Sequence, residues 1–430
     1  MTLVSLPPDQ EISTESDRPP LSREELRDVL TTALRSGQLL LENGANTARV
    51  EETVHRLGTA LGAEWMDVYV TPQGIIATAV SHHEHRTRIQ RVTKSGVDLS
   101  RVAAAIEVSR RAEQGELTTD TALAELDRIA RQPRLYDVRL TTLAVGLACG
   151  GFSVLFGGGQ WEFAVVLLAA GLAQFLRHTL LHHNLDRLMT TAIVATFASG
   201  VALALSLWLP AITPIVVKPA TVITASVLLL VPGVLLVSST ADMFRGDIIS
   251  GVARATAAFL FVMSIGAGIW ATLLISHNPI TLETAAQPNL LVAMVMALLA
   301  AGGFAVLFDV PYRALAFAGL TGMLAYAVRW LVVYTGGPAE VAFFFAGMTI
   351  GVMGEILSRG LRMPSSLFAI PGYIPLVPGV VAFRAVLSFA EANYTAGLAD
   401  AVRAVLLIIA IAVGLGTVNA IERVWQKPLV

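Results

Sequence analysis

Residues 150–156 read GGFSVLF and residues 302–308 read GGFAVLF. A second string, LVPGV, stands at 230–234 and again at 376–380. Both are repeated at an offset of about 150 residues, as expected of a duplicated unit rather than of reused short words. The unit is apolar and holds five candidate membrane spans. An odd number of spans reverses direction, so the second copy is expected upside down relative to the first, the arrangement of many secondary transporters.

Composition agrees. The chain has 430 residues, 54% of them hydrophobic and 14% charged, with a mean hydropathy of +0.66. Those values describe a polytopic membrane protein. The polar residues concentrate before about Asp137. A net charge of −2 argues against a general nucleic-acid binder. The single cysteine, Cys149, excludes an internal disulfide. The start of the chain carries Pro7, Pro8, Asp9, Glu11, Glu15, Asp17, Pro19 and Pro20 and no apolar core of a secretory signal. Residues 1–21 are therefore expected to be a disordered tail.

A small α+β domain is expected over 22–138. Ser22-Arg23-Glu24-Glu25 is a capping box that opens a helix running to Glu42, where Asn43-Gly44 stops it. Asn46 caps a second helix with Val50, Val54, Leu57 and Leu61 on one face. Strands are predicted over 65–71, 74–80 and 87–92, and helices over 98–114 and 118–131. Hydropathy then gives ten spans: 140–156, 161–176, 188–209, 215–237 and 251–275 in a first repeat (139–276), and 290–308, 314–334, 341–357, 367–387 and 401–420 in a second (288–422). The second span is the shortest of these. With the N-terminal domain inside, inner loops hold Arg177, Arg187, Arg245, Arg254, Arg313, Arg359 and Arg362, and the C-terminal tail adds Arg423 and Lys427. Outer segments hold Lys218, Arg329, Arg384 and Arg403, and the loop 276–289 holds none. The bias predicts cytoplasmic termini.

Spans four and nine are unusual. The fourth region contains Pro214, Pro219 and Pro232-Gly233, and the ninth contains Pro371-Gly372, Pro375 and Pro378-Gly379. Proline lacks the amide proton and clashes with the preceding turn, so both helices are expected to break. Broken backbone at membrane depth is tolerated only inside protein or beside a wet cavity, and paired breaks point to a transport site. The competing reading is that these prolines only kink packed helices. An acid and then an arginine twelve residues later follow each pair: Asp242 with Arg254, and Glu391 with Arg403. Arg245 and Asp247 lie nearby in the first copy and Arg384 in the second. With Pro232, Gly233, Pro378 and Gly379, the arginines Arg254, Arg384 and Arg403 are the candidate substrate-binding residues. Asp242, Asp247, Asp309, Glu355 and Glu391 are candidate proton carriers, set against interfacial snorkelling and loop salt bridges. For Glu355 the ion pair to Arg359 at i+4 is the favoured account. Ser81-His82-His83-Glu84-His85 reads as a polar hairpin turn rather than a metal site, and His178, His182 and His183 as residues of a basic inner loop.

The segments GANTARVEETVHRLGTALG (44–62), VTPQGIIAT (70–78), PGVLLVSSTADMFRGDIISGVAR (232–254) and LVPGVVAFRA (376–385) make the chain similar to the threonine/serine exporter (ThrE-type) family, with both membrane modules fused. The resemblance spans about residues 25–425. It implies an inner-membrane exporter of small amino acids driven by the proton gradient. Two-chain members imply dicarboxylates, such as succinate, as the alternative cargo. Asn46, Thr47, Arg49 and Glu51 form a polar cluster at a helix N-terminus suited to an anion. It is read as a regulatory ligand site or cytoplasmic gate, or else as a capped helix with surface charges. None of the three lysines, Lys94, Lys218 and Lys427, follows a glycine, so no Walker A loop exists to drive an ATP pump. No cofactor and no metal is expected. The partners implied are the substrate, protons and the lipid bilayer, with self-association left open. A membrane-anchored enzyme or a sensor acting through the N-terminal domain is the reading of another class.

Overall fold

The computed structural model describes residues 19–212, 214–276 and 287–426. Most of the tail (1–18), most of the loop 276–289 and Lys427 lie outside the described residues. The chain divides into two compact units: residues 1–134 with 241–254, and residues 135–240 with 255–430.

The first unit holds α1 (Arg23–Glu42), α2 (Thr47–Ala60), β1 (Trp65–Thr71), β2 (Gly74–Ser81), β3 (Glu84–Arg91), α3 (Leu99–Glu113) and α4 (Thr119–Arg131). The Ser22 and Glu25 side chains cap each other's backbone amides at the start of α1. Asn46 accepts from the Arg49 amide at the start of α2. The three strands pair antiparallel in the order β1-β2-β3. Leu26, Val29, Leu30 and Leu34 of α1 pack with Val50, Val54 and Leu57 of α2 and Ile75 of β2. Full burial of each such side chain is worth about 1.5–3 kcal/mol. Two details depart from expectation. Leu21 belongs to the folded part: its amide donates to Ser81 Oγ at 3.0 Å and its side chain packs against the core. β3 begins at Glu84 rather than residue 87, because a two-residue turn at His82-His83 closes the hairpin, with His82 left-handed (φ 49) and its ring 2.6 Å from Glu64.

After α4 the chain is helical. It runs α5 (Val138–Leu155), α6 (Gln160–His182), α7 (Arg187–Ile212), α8 (Pro219–Ser226), a 3₁₀ turn (Leu228–Leu230), α9 (Gly233–Arg245) and α10 (Ile248–Ser276), the end of α9 and the start of α10 (241–254) belonging to the first unit. Then come α11 (Leu290–Leu307), α12 (Tyr312–Tyr334), α13 (Ala339–Leu361), α14 (Ser366–Tyr373), a 3₁₀ turn (Ile374–Leu376), α15 (Gly379–Ala390) and α16 (Tyr394–Gln426). Among the described residues, eight helices are long and apolar enough to cross a membrane, or ten if each of two bent pairs is one span. The chain is a multi-pass membrane protein. The second span is not short: α6 runs 23 residues and places His178 and His182 on the helix and His183 at its cap, not in a loop. Gly171 is carried inside the helix, which ends only where Asn184 turns left-handed (φ 58). The fourth region extends to Arg245 rather than residue 237, because Ser239 and Thr240 return their hydroxyls to Leu236 O and let a polar stretch continue the helix. Pro371 does not end a helix; it sits inside α14, and Pro219 occupies the first helical position of α8.

The repeated strings pack against each other. A shift of 152 positions carries Gly151 onto Gly303 and Ala144 onto Met296. A methyl on Gly303 would lie 2.3 Å from Ala144 O, and one on Gly151 would lie 2.9 Å from Met296 O. Phe152 and its counterpart Phe304 meet edge to face at 6.2 Å. Both helices end alike: Gly157 (φ 84) and Asp309 (φ 53) occupy equivalent left-handed caps. Small residues of this kind let helix backbones approach within a bilayer, where packing replaces the hydrophobic effect.

Candidate functional site

Two places carry the residues singled out above. The first is where the broken helices cross. The pair of segments Pro219–Leu230 and Gly233–Arg245 is bent by 62°, and Ser366–Leu376 with Gly379–Phe389 by 48°. Each break falls at its Pro-Gly dipeptide. The amides of Gly233 and Gly379 close tight bonds onto Val231 O and Val377 O at 2.8 and 2.7 Å. Regular helix bonding resumes only at Leu236, which donates to Pro232 O, and at Ala382, which donates to Pro378 O. The two breaks touch reciprocally. A methyl on Gly233 would meet Val377 at 3.0 Å and Ile374 at 3.4 Å, and one on Gly379 would meet Leu228 at 2.4 Å. A shift of 146 positions exchanges Gly233 with Gly379 and Leu228 with Ile374, so the contact is two-fold in kind. Beside it lies a cavity of about 60 Å³, lined by Val227, Leu228, Val377, Pro378, Phe383 and other apolar groups, with Thr224 the one hydroxyl.

The second place is a polar cluster within the first unit. Asp242 is fully buried; its Oδ2 lies 3.2 Å from Arg254 Nε and accepts from Thr47 Oγ1 at 3.4 Å. Arg254, 6% exposed, also donates to Ala45 O at 3.3 Å. Ser250 Oγ donates to Val70 O at 3.2 Å, fixing the same segment to β1. Glu51 and Asp247 are half-buried at the edge of this group. Burial pushes the Glu51 carboxyl up to about 7, and the Asp247 and Asp242 carboxylates add to the rise. Arg49 turns aside to Glu52 at 3.0 Å, and Asn46 serves as the α2 cap.

The remaining candidates scatter. Glu391 is exposed and only caps α15, and Arg403 is exposed on α16. The spacing of twelve that links them to Asp242 and Arg254 misleads, because Asp242 stands nine residues beyond Gly233 and Glu391 twelve beyond Gly379. Arg384 is half-buried on α15. Asp309 is buried at the α11 cap, beside Tyr136, whose hydroxyl donates to Val310 O at 2.7 Å. Glu355 pairs with Arg359 at 2.8 Å, and Arg359 also reaches Glu422 at 3.0 Å.

Sequence reasoning passed over Glu162. It is buried, accepting from the Gly159 amide at 2.7 Å and from the Lys218 amide at 2.9 Å, and so ties the start of α6 to the entry of α8. Its position in the first turn after Gly157-Gly158-Gly159 was the available signal. The buried Ser199–Thr272 hydroxyl pair, 2.7 Å apart, joins α7 to α10 and left no trace in any motif.

A run of apolar helices interrupted by two mutually contacting Pro-Gly breaks defines the class as a membrane transporter. Residues 31–276 match the ThrE family, described as "Putative threonine/serine exporter", and residues 293–421 match its companion ThrE_2, described as "Threonine/Serine exporter, ThrE". The chain belongs to this family. It is 24% identical to a threonine/serine exporter of Corynebacterium glutamicum over 416 residues, 93% of this chain and 83% of that one. It is 33% identical to the "Probable succinate transporter subunit YjjP" of Klebsiella aerogenes over 251 residues, 57% of this chain and 93% of the relative. The corresponding YjjP of Escherichia coli is 32% identical over 253 residues, 58% of this chain and 95% of that one. No solved structure matches.

Proposed function

We propose that this protein exports threonine and serine across the inner membrane in exchange for protons, through a site at the crossing of the two broken helices. One observation carries the reading: the Gly233 and Gly379 breaks contact each other reciprocally. Reciprocity is what two repeats related by a two-fold axis produce. With five spans per repeat that axis lies in the membrane plane, and rocking one repeat against the other alternates access to the crossing. The N-termini of α9 and α15 supply amide dipoles suited to a carboxylate. The apolar lining of the cavity suits a small side chain. The Lys/Arg bias supports termini on the cytoplasmic side. The relatives named as threonine/serine exporters support the cargo, and the missing Walker A loop supports an ion gradient as the drive.

The test is counterflow in proteoliposomes with labelled threonine or succinate, with and without an imposed pH gradient. Threonine uptake enhanced by the gradient is expected. Succinate uptake without threonine uptake overturns the cargo, and threonine flux indifferent to the gradient and to protonophore overturns the coupling.

A further inference from the structure

Arg329 lies inside membrane helix α12, more than a turn from its end at Tyr334. It is half-buried and forms neither an ion pair nor a hydrogen bond among the described residues. Its Cζ stands instead over two rings, 4.9 Å from the centroid of Tyr326 on its own helix and 5.1 Å from that of Phe343 on α13. A ring face attracts the cation but offers no lone pair to its N–H groups. The rings hold the guanidinium in place and leave its fork of donors unfilled. Glu340, the acid nearest to Phe343 along the chain, is exposed in the first turn of α13 and makes no ion pair with Arg329.

The helix face that carries Arg329 is turned inward. Gly322, Ala325, Tyr326 and Arg329 follow one another at spacings of three and four, so they share one face of α12, and the first three are buried. Phe343, Ala346, Gly347 and Ile350 share one face of α13 in the same way, and all four are buried. These two stripes also reach the broken helices. A methyl on Gly322 would lie 3.4 Å from Gly372 O and 3.4 Å from Pro375, and one on Gly372 would lie 2.8 Å from Thr321 and 3.6 Å from Ile350. Pro375 belongs to the 3₁₀ turn whose Ile374 faces the Gly233 break. From Gly322 to Arg329 is about 10 Å along the axis, at 1.5 Å per residue. Phe343 stands equally far from Ile350 on the returning helix, which brings it to the level of Arg329. On the Lys/Arg bias this is the outer side of the crossing.

A cation in a membrane helix without a counter-ion is costly, and groups of this kind serve substrates or ions that supply the missing charge. We propose that Arg329, backed by Tyr326 and Phe343, binds the carboxylate of the cargo between the crossing and the outer face. A guanidinium fork and a carboxylate match in two parallel hydrogen bonds, which fixes the direction of the ligand as well as its charge. The carboxylate then finds donors at two successive places, the amide ends of α9 and α15 and the fork of Arg329. Arg403 is exposed, and no ring stands against the half-buried Arg384 among the described residues, so neither is held as Arg329 is. The inference rests on the export proposed above and adds a carboxylate subsite to it.

The experiment uses the full chain, purified and reconstituted as wild type, Arg329→Gln and Arg329→Lys. Counterflow of labelled threonine gives KM and maximal rate. Threoninol, which carries a hydroxymethyl group in place of the carboxylate, serves as competitor. In Arg329→Gln the threonine KM should rise by about tenfold or more, the fold-change of losing a charge-assisted hydrogen bond, while the inhibition constant of threoninol stays in place. Arg329→Lys keeps the charge without the fork and should fall between wild type and Arg329→Gln. If Arg329→Gln fails to insert, the lysine variant alone decides by the same criterion. A threonine KM at the wild-type level in the variants overturns the assignment. So does a parallel rise for threonine and threoninol, which marks a structural role. So does an unchanged KM with a lowered melting temperature in phospholipid nanodiscs, which makes Arg329 a ligand of lipid phosphate. If the wild type carries succinate and not threonine, the cargo reading fails, yet a succinate KM raised in Arg329→Gln upholds the subsite. If it carries neither, both fall.

Discussion

Among the described residues, Asp242–Arg254 is the ion pair with both partners buried, so neither can be hydrated if the other is lost. Removing one leaves an uncompensated buried charge, which typically costs about 3–5 kcal/mol. Arg254→Ala should therefore lower the melting temperature in detergent clearly more than Arg403→Ala, whose arginine is exposed. Equal shifts in the two variants would contradict the buried pair. Glu51 adds a pH dependence. Its carboxyl titrates near 4.5 when free and at about 7 when folded. Between those values the folded chain holds a proton that the unfolded chain has released, so stability falls as pH rises through this window. The melting temperature of the wild type should drop between pH 5 and 7.5, and the difference between wild type and Glu51→Gln should isolate this one group. Asp242 and Glu51 are both visible as candidates in the sequence. That Asp242 meets Thr47 is not: the two are 195 positions apart, and no periodicity encodes contact at that distance.

At the scale of elements, adjacent glycines in the repeated string have different duties. Gly303 sits 2.3 Å, by its missing methyl, from the Ala144 carbonyl on α5, whereas Gly302 faces open space. Gly303→Ala should destabilise by roughly 1–3 kcal/mol through overpacking against backbone. Gly302→Ala should be neutral or mildly stabilising, since alanine favours a helix by about 0.5–1 kcal/mol over glycine. Thermal unfolding of the two single variants decides the matter, and a reversed order would place the contact on the wrong glycine. At the breaks, Gly233→Leu and Gly379→Leu should abolish transport while leaving membrane insertion largely intact. Normal flux in both would reduce the breaks to architecture. The breaks themselves were legible because proline removes an amide donor wherever it stands. Which proline breaks the helix was not, for Pro371 is absorbed inside α14 while Pro378 caps the start of α15. Helix ends were clearest where a side chain caps its own turn, as at Ser22, Asn46 and Asp98. They were least clear where apolar composition fades into polar helix, as at Arg245 and His182.

For the whole molecule the testable property is orientation. In a chain with Cys149 replaced by serine, Thr281→Cys should react with an impermeant thiol reagent from outside intact cells and Gln114→Cys should not. Labelling of the Gln114→Cys variant would reverse the topology and with it the direction of export. Sequence alone determined the class of this protein: many apolar spans with short strings repeated within them, a polar stretch before them, and paired Pro-Gly breaks. These follow from local rules, since hydropathy, capping and the missing proline amide act within a few residues of themselves. The tertiary structure decided that the two breaks contact each other, that Gly151 and Gly303 meet on facing helices, and that the 241–254 segment packs with the N-terminal unit. It also decided which of several acids is buried with a cation. Those outcomes depend on burial and on charges brought close across long stretches of chain, and composition is blind to both until the chain is folded.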